Sequence, residues 1–126
     1  INETETDDLL LCDIYSIKFV SFIGSKTGKG DVNVSSFLIS YDINKNSKNI
    51  YNLHKIIKDC SYDDHWVQCF DNLWIIKSEH DLSKIYELIK DVLDANDCFL
   101  VVEITHNCDG WLETNIWDYI NNNIFQ

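Results

Sequence analysis

The spacing of apolar residues changes several times between residues 34 and 120, and the order of these changes restricts the possible folds. Residues 36–44, SFLISYDIN, are mostly β-type residues that run into a polar segment. They predict a buried strand that ends on the carboxylate of Asp42. Residues 47–60 then repeat apolar side chains every three or four positions, which predicts an amphipathic helix capped by Asn46 or Ser47.

The middle of the chain has the pattern of a hairpin followed by a helix. Residues 65–70 and 73–78 are two β-type runs joined by an Asp-Asn link, which is short enough for a tight turn. Residues 82–93 carry the most regular apolar stripe in the chain, with Asp81 in position to cap a helix. This part therefore predicts two antiparallel strands and a second helix.

The remaining core elements are a strand and a terminal helix. Residues 98–104, CFLVVEI, are a continuous apolar run typical of a buried strand, and residues 111–120 favour an amphipathic helix. The resulting order, β-α-β-β-α-β with a further helix, indicates an α+β ferredoxin-like fold with an antiparallel sheet and two helices on one face. Because the other face is left open, we expect a second copy to cover it in a homodimer, unless an N-terminal strand covers part of it.

The chain is predicted to be one domain over residues 1–126, with its ferredoxin-like core at 34–120. Residues 1–8 form an acidic leader. Residues 9–23 carry β-type residues on both parities and predict a strand buried partly on both sides, so residues 9–33 are an extension of strand and turn.

A glycine-rich basic segment, GSKTGKG, occupies residues 24–30. It superficially resembles a phosphate-binding loop, but the motif G-x-x-x-x-G-K-[ST] requires glycine where this chain has Lys29. A strand-like pattern follows instead of a helix. The preferred interpretation is a hairpin loop, and phosphate binding is the second.

The charge of the chain restricts its partners. It has 10 Lys and Arg against 21 Asp and Glu, for a net charge of −11. Nucleic-acid backbones are bound chiefly by Lys and Arg, so direct nucleic-acid binding is disfavoured. The charge is explained either by solubility or by a surface that docks a basic or nucleic-acid-binding partner.

The cysteines and the apolar runs indicate a cytoplasmic protein. Five cysteines show no C-x-x-C spacing, and Cys60, Cys69 and Cys98 lie in apolar contexts that suggest reduced core residues. No apolar run approaches the roughly 20 residues that span a bilayer, and the acidic start is unlike a signal peptide. We therefore expect no membrane association.

Other candidate site residues have simpler structural explanations. His106, Cys108 and Asp109 have zinc-binding chemistry, but structural zinc requires four ligands and no second pair is spaced to match. His54 falls beside the apolar stripe of its helix, where a half-buried position is expected. Four tryptophans are expected in the core or at a dimer interface and not as platforms for bases. They are Trp66, Trp74, Trp111 and Trp117.

Several short motifs resemble those of the SinR-like small proteins, relatives of the CRISPR-associated small adaptation subunit. They are residues 36–44, the segment DNLWIIKS at 71–78, the segment DANDCFLVV at 94–102, GWL at 110–112, and Trp117. The resemblance implies a ferredoxin-like dimer. It also implies that Asp42 meets its symmetry mate around a divalent cation, since Mg²⁺ prefers a few carboxylates, waters and phosphate oxygens.

Asp42 is the candidate catalytic and metal-binding residue, and Tyr41 and Asn44 are candidate binding residues of the same site. A carboxylate at the end of a core strand is rigidly held and faces solvent, as functional groups often do. The alternative is that Asp42 caps the following loop.

Two functions remain open. The first is a non-catalytic or vestigial interaction module that docks a basic or nucleic-acid-binding partner. The second is a weak Mg²⁺-dependent endonuclease or endoribonuclease that uses paired Asp42 side chains. The acidic charge and the lack of a second catalytic group beside Asp42 favour the first.

Overall fold

The structure is a computed structural model that describes residues 32–44 and 47–125. In this part the chain is an α+β protein with a four-stranded antiparallel sheet and three helices, as predicted. The predicted leader at 1–8, the strand at 9–23 and the loop at 24–30 lie outside the described residues.

The elements follow one another in the order strand, helix, strand, strand, helix, strand and helix. Their bounds are β1 Ser35–Asp42, α1 Asn49–Cys60, a 3₁₀ turn Tyr62–Asp64, β2 Trp66–Phe70, β3 Leu73–Ser78, α2 Leu82–Lys90, β4 Cys98–Ile104 and α3 Thr114–Tyr119, which continues as a π-helical turn, Ile120–Ile124. The strand order in the sheet is β2-β3-β1-β4, and each neighbouring pair is antiparallel. Strand β1 is therefore central, and β4 is an edge strand of the described sheet.

Helices α1 and α2 pack on the same face of the sheet, which we call the helix face. Alternate side chains of β1, including Ile39 and Tyr41, point to this face, as does Trp74, which pairs with Ile39. His54 of α1 contacts Trp74 with ring centroids 5.0 Å apart. On α2, Tyr86 stacks on Phe99 of β4. The core therefore lies between these two helices and the sheet.

Full burial of apolar side chains stabilises this arrangement. Leu53 and Ile57 of α1 and Ile85 and Ile89 of α2 are completely buried. Each such side chain contributes about 1.5–3 kcal/mol relative to an exposed position. The three-and-four spacing that predicts the helices from the sequence is the spacing of these contacts.

The opposite face of the sheet is only partly covered. Helix α3 contacts β2, and the π-helical turn contacts β3. The hydroxyl of Ser36 donates to the carbonyl oxygen of Ile124 at 3.3 Å, which holds the C-terminal segment beside β1. The other half of this face, which we call the open face, carries Leu38, Leu100 and Val102. Of these, Leu100 is 61% exposed and Val102 is 40% exposed.

Two helix ends differ from their predicted positions. Helix α1 begins at Asn49 with Lys48, and not Ser47, at the N-cap position; the other predicted cap, Asn46, lies outside the described residues. Ser47 still contributes, because its hydroxyl accepts the backbone N–H of Asn49 at 3.0 Å. Helix α2 ends at Lys90 and not at residue 93. After the helix, the backbone N–H of Val92 donates to the carbonyl oxygen of Ile89, and that of Leu93 donates to Lys90. These hydrogen bonds join residues three apart, which is a tighter turn than that of an α-helix.

Other predicted details of the chain are confirmed. Asp81 caps α2, and its Oδ1 accepts the backbone N–H of Lys84 at 2.9 Å. Strands β2 and β3 form the predicted hairpin across the Asp-Asn link, with Phe70 opposite Leu73.

The prediction of a buried β4 is wrong, although its bounds are correct. A continuous apolar run is typical of a strand covered on both faces. Here the C-terminal segment covers β2 and β3 and leaves β4 open on one face. Cys98, predicted to be a core residue, is consequently exposed. By contrast, Cys60 is buried and Cys69 is partly buried.

The terminal helix also starts later than predicted. It begins at Thr114, and Trp111 lies before it with 97% of its surface exposed. Trp117 is half-buried against the core, whereas Trp66 and Trp74 are fully buried. The expected core position is thus confirmed for Trp66 and Trp74. Trp111 was predicted to belong to the apolar stripe of the terminal helix, but it lies before the helix and is exposed. No helix of the described residues combines the length and apolarity needed to cross a membrane.

Candidate functional site

A cavity of about 550 Å³ lies at the end of the sheet where β1 finishes. Asp42 is the last residue of β1, and its side chain is exposed. The strand alternation directs Asp42 away from the helix face and Tyr41 toward it. The lining residues are Tyr41, Asp42, Ile43, Ile50, His54, Gln68, Asp71 and Asn72. The cavity therefore brings together Asp42 and Tyr41, two of the three predicted site residues.

The third predicted residue, Asn44, is exposed and lies outside the lining of this cavity. Its carbonyl oxygen accepts the backbone N–H of Ser47 at 2.9 Å, so it takes part in the turn that leads to α1. The alternative role of Asp42 is to cap the loop that follows β1. This loop includes residues 45–46, which lie outside the described part of the chain.

The hydroxyl of Tyr41 is the centre of a buried network. Three groups lie 2.9 Å from it: the indole N–H of Trp74, the carbonyl oxygen of Asp71 and Nε2 of His54. A tyrosine hydroxyl has one proton to donate and two lone pairs. All three contacts are hydrogen bonds when the hydroxyl donates to Asp71 and accepts from Trp74 and from a protonated Nε2 of His54.

This network assigns the tautomer of His54. With the proton on Nε2, the neutral ring carries its lone pair on Nδ1. Burial, together with the positive charge of Lys58, lowers the pKa of His54 to about 4. His54 is therefore neutral near pH 7, and its Nδ1 is an acceptor beside the cavity.

The same burial makes the hydroxyl of Tyr41 a weaker acid. The pKa of its hydroxyl is raised to about 12, chiefly by burial; the hydrogen bond from Trp74 opposes this shift, and the Asp71 carboxylate acts in the same direction as burial. Tyr41 is therefore protonated near neutral pH. Its hydroxyl joins β1 to the turn before β3 and holds the floor of the cavity in place.

The described carboxylates do not form a ready-made cluster of metal ligands. In the part of the chain that the structure describes, no group of three or more His, Cys, Asp and Glu side chains is arranged to hold a metal ion. Asp42 and Asp71 both line the cavity. Mg²⁺ binds through one or two carboxylates together with waters and phosphate oxygens, so Asp42 from each of two copies would supply such a set.

The remaining candidates are dispersed. Three residues with zinc-binding chemistry, His106, Cys108 and Asp109, are exposed. Among the described residues, they do not form a cluster that could hold a metal ion. His65, which lies immediately before β2, is buried at 5% exposure, and burial lowers its pKa to about 4, with Lys77 acting in the same direction.

The sequence interpretation missed the contact of His54 with Tyr41 and Trp74. The signal for it was the spacing of α1, because His54 follows Ile50 by four residues and so lies on the stripe that faces the sheet. The half-buried position predicted for His54 is confirmed.

A second candidate surface lies along β4 and α2, beside the end of β1. Leu82, Ser83 and Tyr86 of α2 and Phe99, Leu100 and Val101 of β4 line a groove of about 310 Å³. Leu82 is 43% exposed and Tyr86 is 44% exposed. We call this the β4 groove. Side chains of this size exposed together are typical of interaction surfaces.

Comparison with known proteins finds no protein-family model and no curated protein that matches the chain. The resemblance to the SinR-like proteins therefore has no support from these comparisons, and the function rests on the residues and geometry described above.

Proposed function

We propose that the chain is a ferredoxin-like interaction module that docks a basic or nucleic-acid-binding partner through the β4 side of the molecule. The described elements support the ferredoxin-like interpretation by their order, β-α-β-β-α-β, and by the strand order β2-β3-β1-β4 with antiparallel neighbours. In this proposal residues 34–120 are the core of a single domain.

The observation that carries the proposal is the β4 groove, because it exposes apolar side chains of α2 and β4 and lies two residues along β4 from the exposed acid Glu103. After Lys90 the sequence contains no Lys or Arg. The same stretch contains seven acids: Asp91, Asp94, Asp97, Glu103, Asp109, Glu113 and Asp118. Apolar contact supplies affinity, and this charge favours basic partners over acidic ones.

The proposal includes a homodimer formed through the open face. Leu100 and Val102 of β4 are exposed on this face. Leu38 of the adjacent strand β1 pairs with Val102 and lies on the same face. Two copies of a chain with a net charge of −11 repel each other, so the dimer should strengthen as salt screens that repulsion. Binding of a basic partner should weaken under the same conditions.

A cytoplasmic location is part of the proposal. All four cysteines in the described residues are free thiols, namely Cys60, Cys69, Cys98 and Cys108. Reduced thiols are typical of reducing compartments.

The experiment compares two exposed tyrosines on two different helices. We immobilise the wild-type chain and the variants Tyr86→Ser and Tyr51→Ser separately. The proteins that each one retains are compared at about 0.05 M and about 0.5 M salt. Tyr51 is 71% exposed on α1 and is the matched control. We expect a basic protein that the wild type and Tyr51→Ser retain at low salt, that high salt releases, and that Tyr86→Ser retains poorly. Equal retention by all three proteins would contradict the proposed docking surface.

A second candidate function is a Mg²⁺-dependent nuclease, because Asp42 is exposed beside a cavity and points to the side of the sheet opposite α1 and α2. Two copies joined through the open face could bring both Asp42 carboxylates to one cation, and such a cation would polarise a phosphate and orient a water.

The nuclease is tested with pure protein and RNA or DNA in Mg²⁺ or Mn²⁺. This function requires cleavage that Asp42→Asn abolishes and that Asp118→Asn, at an exposed acid outside the cavity lining, leaves unchanged. Cleavage that persists in Asp42→Asn, or no cleavage by the wild type, would eliminate it.

A further inference from the structure

Strand β4 has one backbone edge that no other described strand covers. The backbone N–H of Tyr41 donates to Asn72 at 3.1 Å, toward β3. Because backbone groups alternate in direction along an antiparallel strand, the odd-numbered residues of β1 bond toward β3 and the even-numbered residues bond toward β4.

The register then identifies the outward groups of β4. The even residues of β1 pair with Cys98, Leu100, Val102 and Ile104, as Leu38 does with Val102. The intervening residues of β4 therefore direct their N–H and C=O groups away from β1. These outward residues are Phe99, Val101 and Glu103. Such an edge can accept a further strand.

The side chains beside this edge are suited to an extended segment. Tyr86 and Phe99 stack with ring centroids 5.5 Å apart and form one wall of the β4 groove. An apolar side chain of an added strand would enter the groove beside Val101. On the opposite face, the same strand would contact the border of the open face at Leu100.

The charge beside the edge selects the composition of that segment. Glu103 is exposed and has its backbone groups pointing outward, so a residue of the added strand would lie directly opposite it. Opposite charges at such positions are favourable, and like charges are unfavourable. One cation lies at the groove itself: Lys90 is 5.8 Å from the ring of Tyr86. A basic residue is therefore expected beside Glu103, and apolar residues are expected beside Tyr86.

A second copy of this chain fits the edge less well. Pairing β4 with β4 of another copy would bring two acidic edges together and would place Glu103 beside an apolar position. The net charge of −11 on each copy adds further repulsion. The complementary occupant is a basic segment of a different protein.

We propose that the outward edge of β4 binds an extended, mainly apolar peptide segment with a basic residue opposite Glu103, by addition of a fifth strand to the sheet. This inference rests on the proposed interaction function and specifies its site and the chemistry of its partner. The partner segment receives backbone hydrogen bonds from Phe99, Val101 and Glu103, apolar contacts from the β4 groove, and charge pairing from Glu103.

The test uses the full chain and a short fluorescent peptide of valine and threonine with one lysine two positions from a valine, so that this lysine and this valine lie on the same face as Glu103 and Val101. Three peptide controls separate the contributions: one with glutamate in place of lysine, one with the same composition in scrambled order, and one with N-methyl groups on alternate amides. We expect binding of the first peptide only. Glu103→Gln should weaken it about two- to fivefold, as for one cross-strand charge pair, while the matched control Glu113→Gln leaves it unchanged.

Residue-resolved amide exchange locates the bound peptide. The peptide should slow exchange at Phe99, Val101 and Glu103, whose amides are outward. Protection at other residues only, equal binding of the glutamate or N-methylated peptide, or absence of binding would overturn the inference. Slow exchange at these three amides before the peptide is added would also overturn it, because another part of the chain or a second copy would then occupy the edge.

Failure of this inference can be distinguished from failure of the proposed function. If Tyr86→Ser loses a basic partner but no peptide protects the three outward amides, the interaction module stands and strand addition is wrong. If Tyr86→Ser retains the same basic proteins as the wild type, the proposed function itself is wrong.

Discussion

The indole N–H of Trp74 donates to the hydroxyl of Tyr41 at 2.9 Å and joins β3 to β1 next to Asp42. Trp74 is 1% exposed and Tyr41 is 5% exposed, so solvent does not replace this bond. The residue adjacent to the candidate carboxylate is thus held by the core of the protein. Its position gives the cavity a fixed floor, whichever ligand the cavity takes.

Tyr41→Phe should lower the free energy of unfolding by about 1–3 kcal/mol, because it leaves the buried indole N–H of Trp74 without its acceptor. Urea denaturation measures this change. Tyr51→Phe removes a hydroxyl from a tyrosine that is 71% exposed and should change the stability by less than about 0.5 kcal/mol. Equal stability of the two variants would show that the network around Tyr41 is not important for folding.

The free energy of unfolding should decrease as the pH falls from about 6.5 toward 4. In this range the unfolded chain protonates His54 and His65, whereas both are neutral in the folded chain because burial lowers each pKa to about 4. The unfolded state therefore binds more protons and is favoured at lower pH. The dependence is at most about 1.4 kcal/mol per pH unit for each histidine, and is less for the half-exposed His54.

Variants isolate this effect from the titration of carboxylates. His54→Gln should make the dependence of stability on pH shallower, measured by denaturation at several pH values. His106→Gln, at an exposed histidine, should leave it unchanged. The same pH dependence in wild type and His54→Gln would contradict the assigned neutral state of His54.

The four cysteines of the described residues should react with a thiol reagent in two groups. Cys98 and Cys108 are exposed and should react quickly in the native protein. Burial raises the pKa of Cys60 to about 11, with Asp59 acting in the same direction and Lys84 opposing it. Burial also raises the pKa of Cys69 to about 12. Both should react at least about tenfold more slowly, because the thiolate is the reactive form.

Peptide mass spectrometry after timed alkylation assigns the rate to each cysteine. Denaturation should remove the difference between the two groups. Fast alkylation of Cys60 in the native protein would contradict the packing of α1 against the sheet.

Truncation of side chains should separate the core from the open face. Ile39→Ala removes a completely buried side chain at the centre of β1 and should cost about 2–5 kcal/mol of stability. Leu100→Ala changes a side chain that is 61% exposed and should cost less than about 1 kcal/mol. Sedimentation of the same Leu100→Ala variant should show a weaker dimer at high salt. An undiminished dimer would exclude the open face as its interface.

Much of the fold could be predicted from local patterns, because those patterns are what the helices and the sheet bury. The spacing of Leu53 and Ile57 predicts α1, and the cap at Asp81 predicts the start of α2. The environment of β4 could not be predicted, because the apolar run at 98–104 does not show which neighbour covers each face. That depends on where the C-terminal segment packs, and its contacts with β2 and β3 are distant in sequence.

The candidate site divides in the same way. The position of Asp42 at the end of a strand follows from where the apolar run stops. The network of Tyr41, His54 and Trp74 depends on the register between β1 and β3 and on the rotation of α1, neither of which is written in a local pattern.

The most direct test of the interaction module is hydrogen–deuterium exchange of the full-length chain with and without the basic protein that it retains at low salt. We predict slower exchange in β4 and α2 when the partner is bound, with no change in α1. Protection confined to α1 and the Asp42 cavity, with β4 and α2 unchanged, would contradict the account.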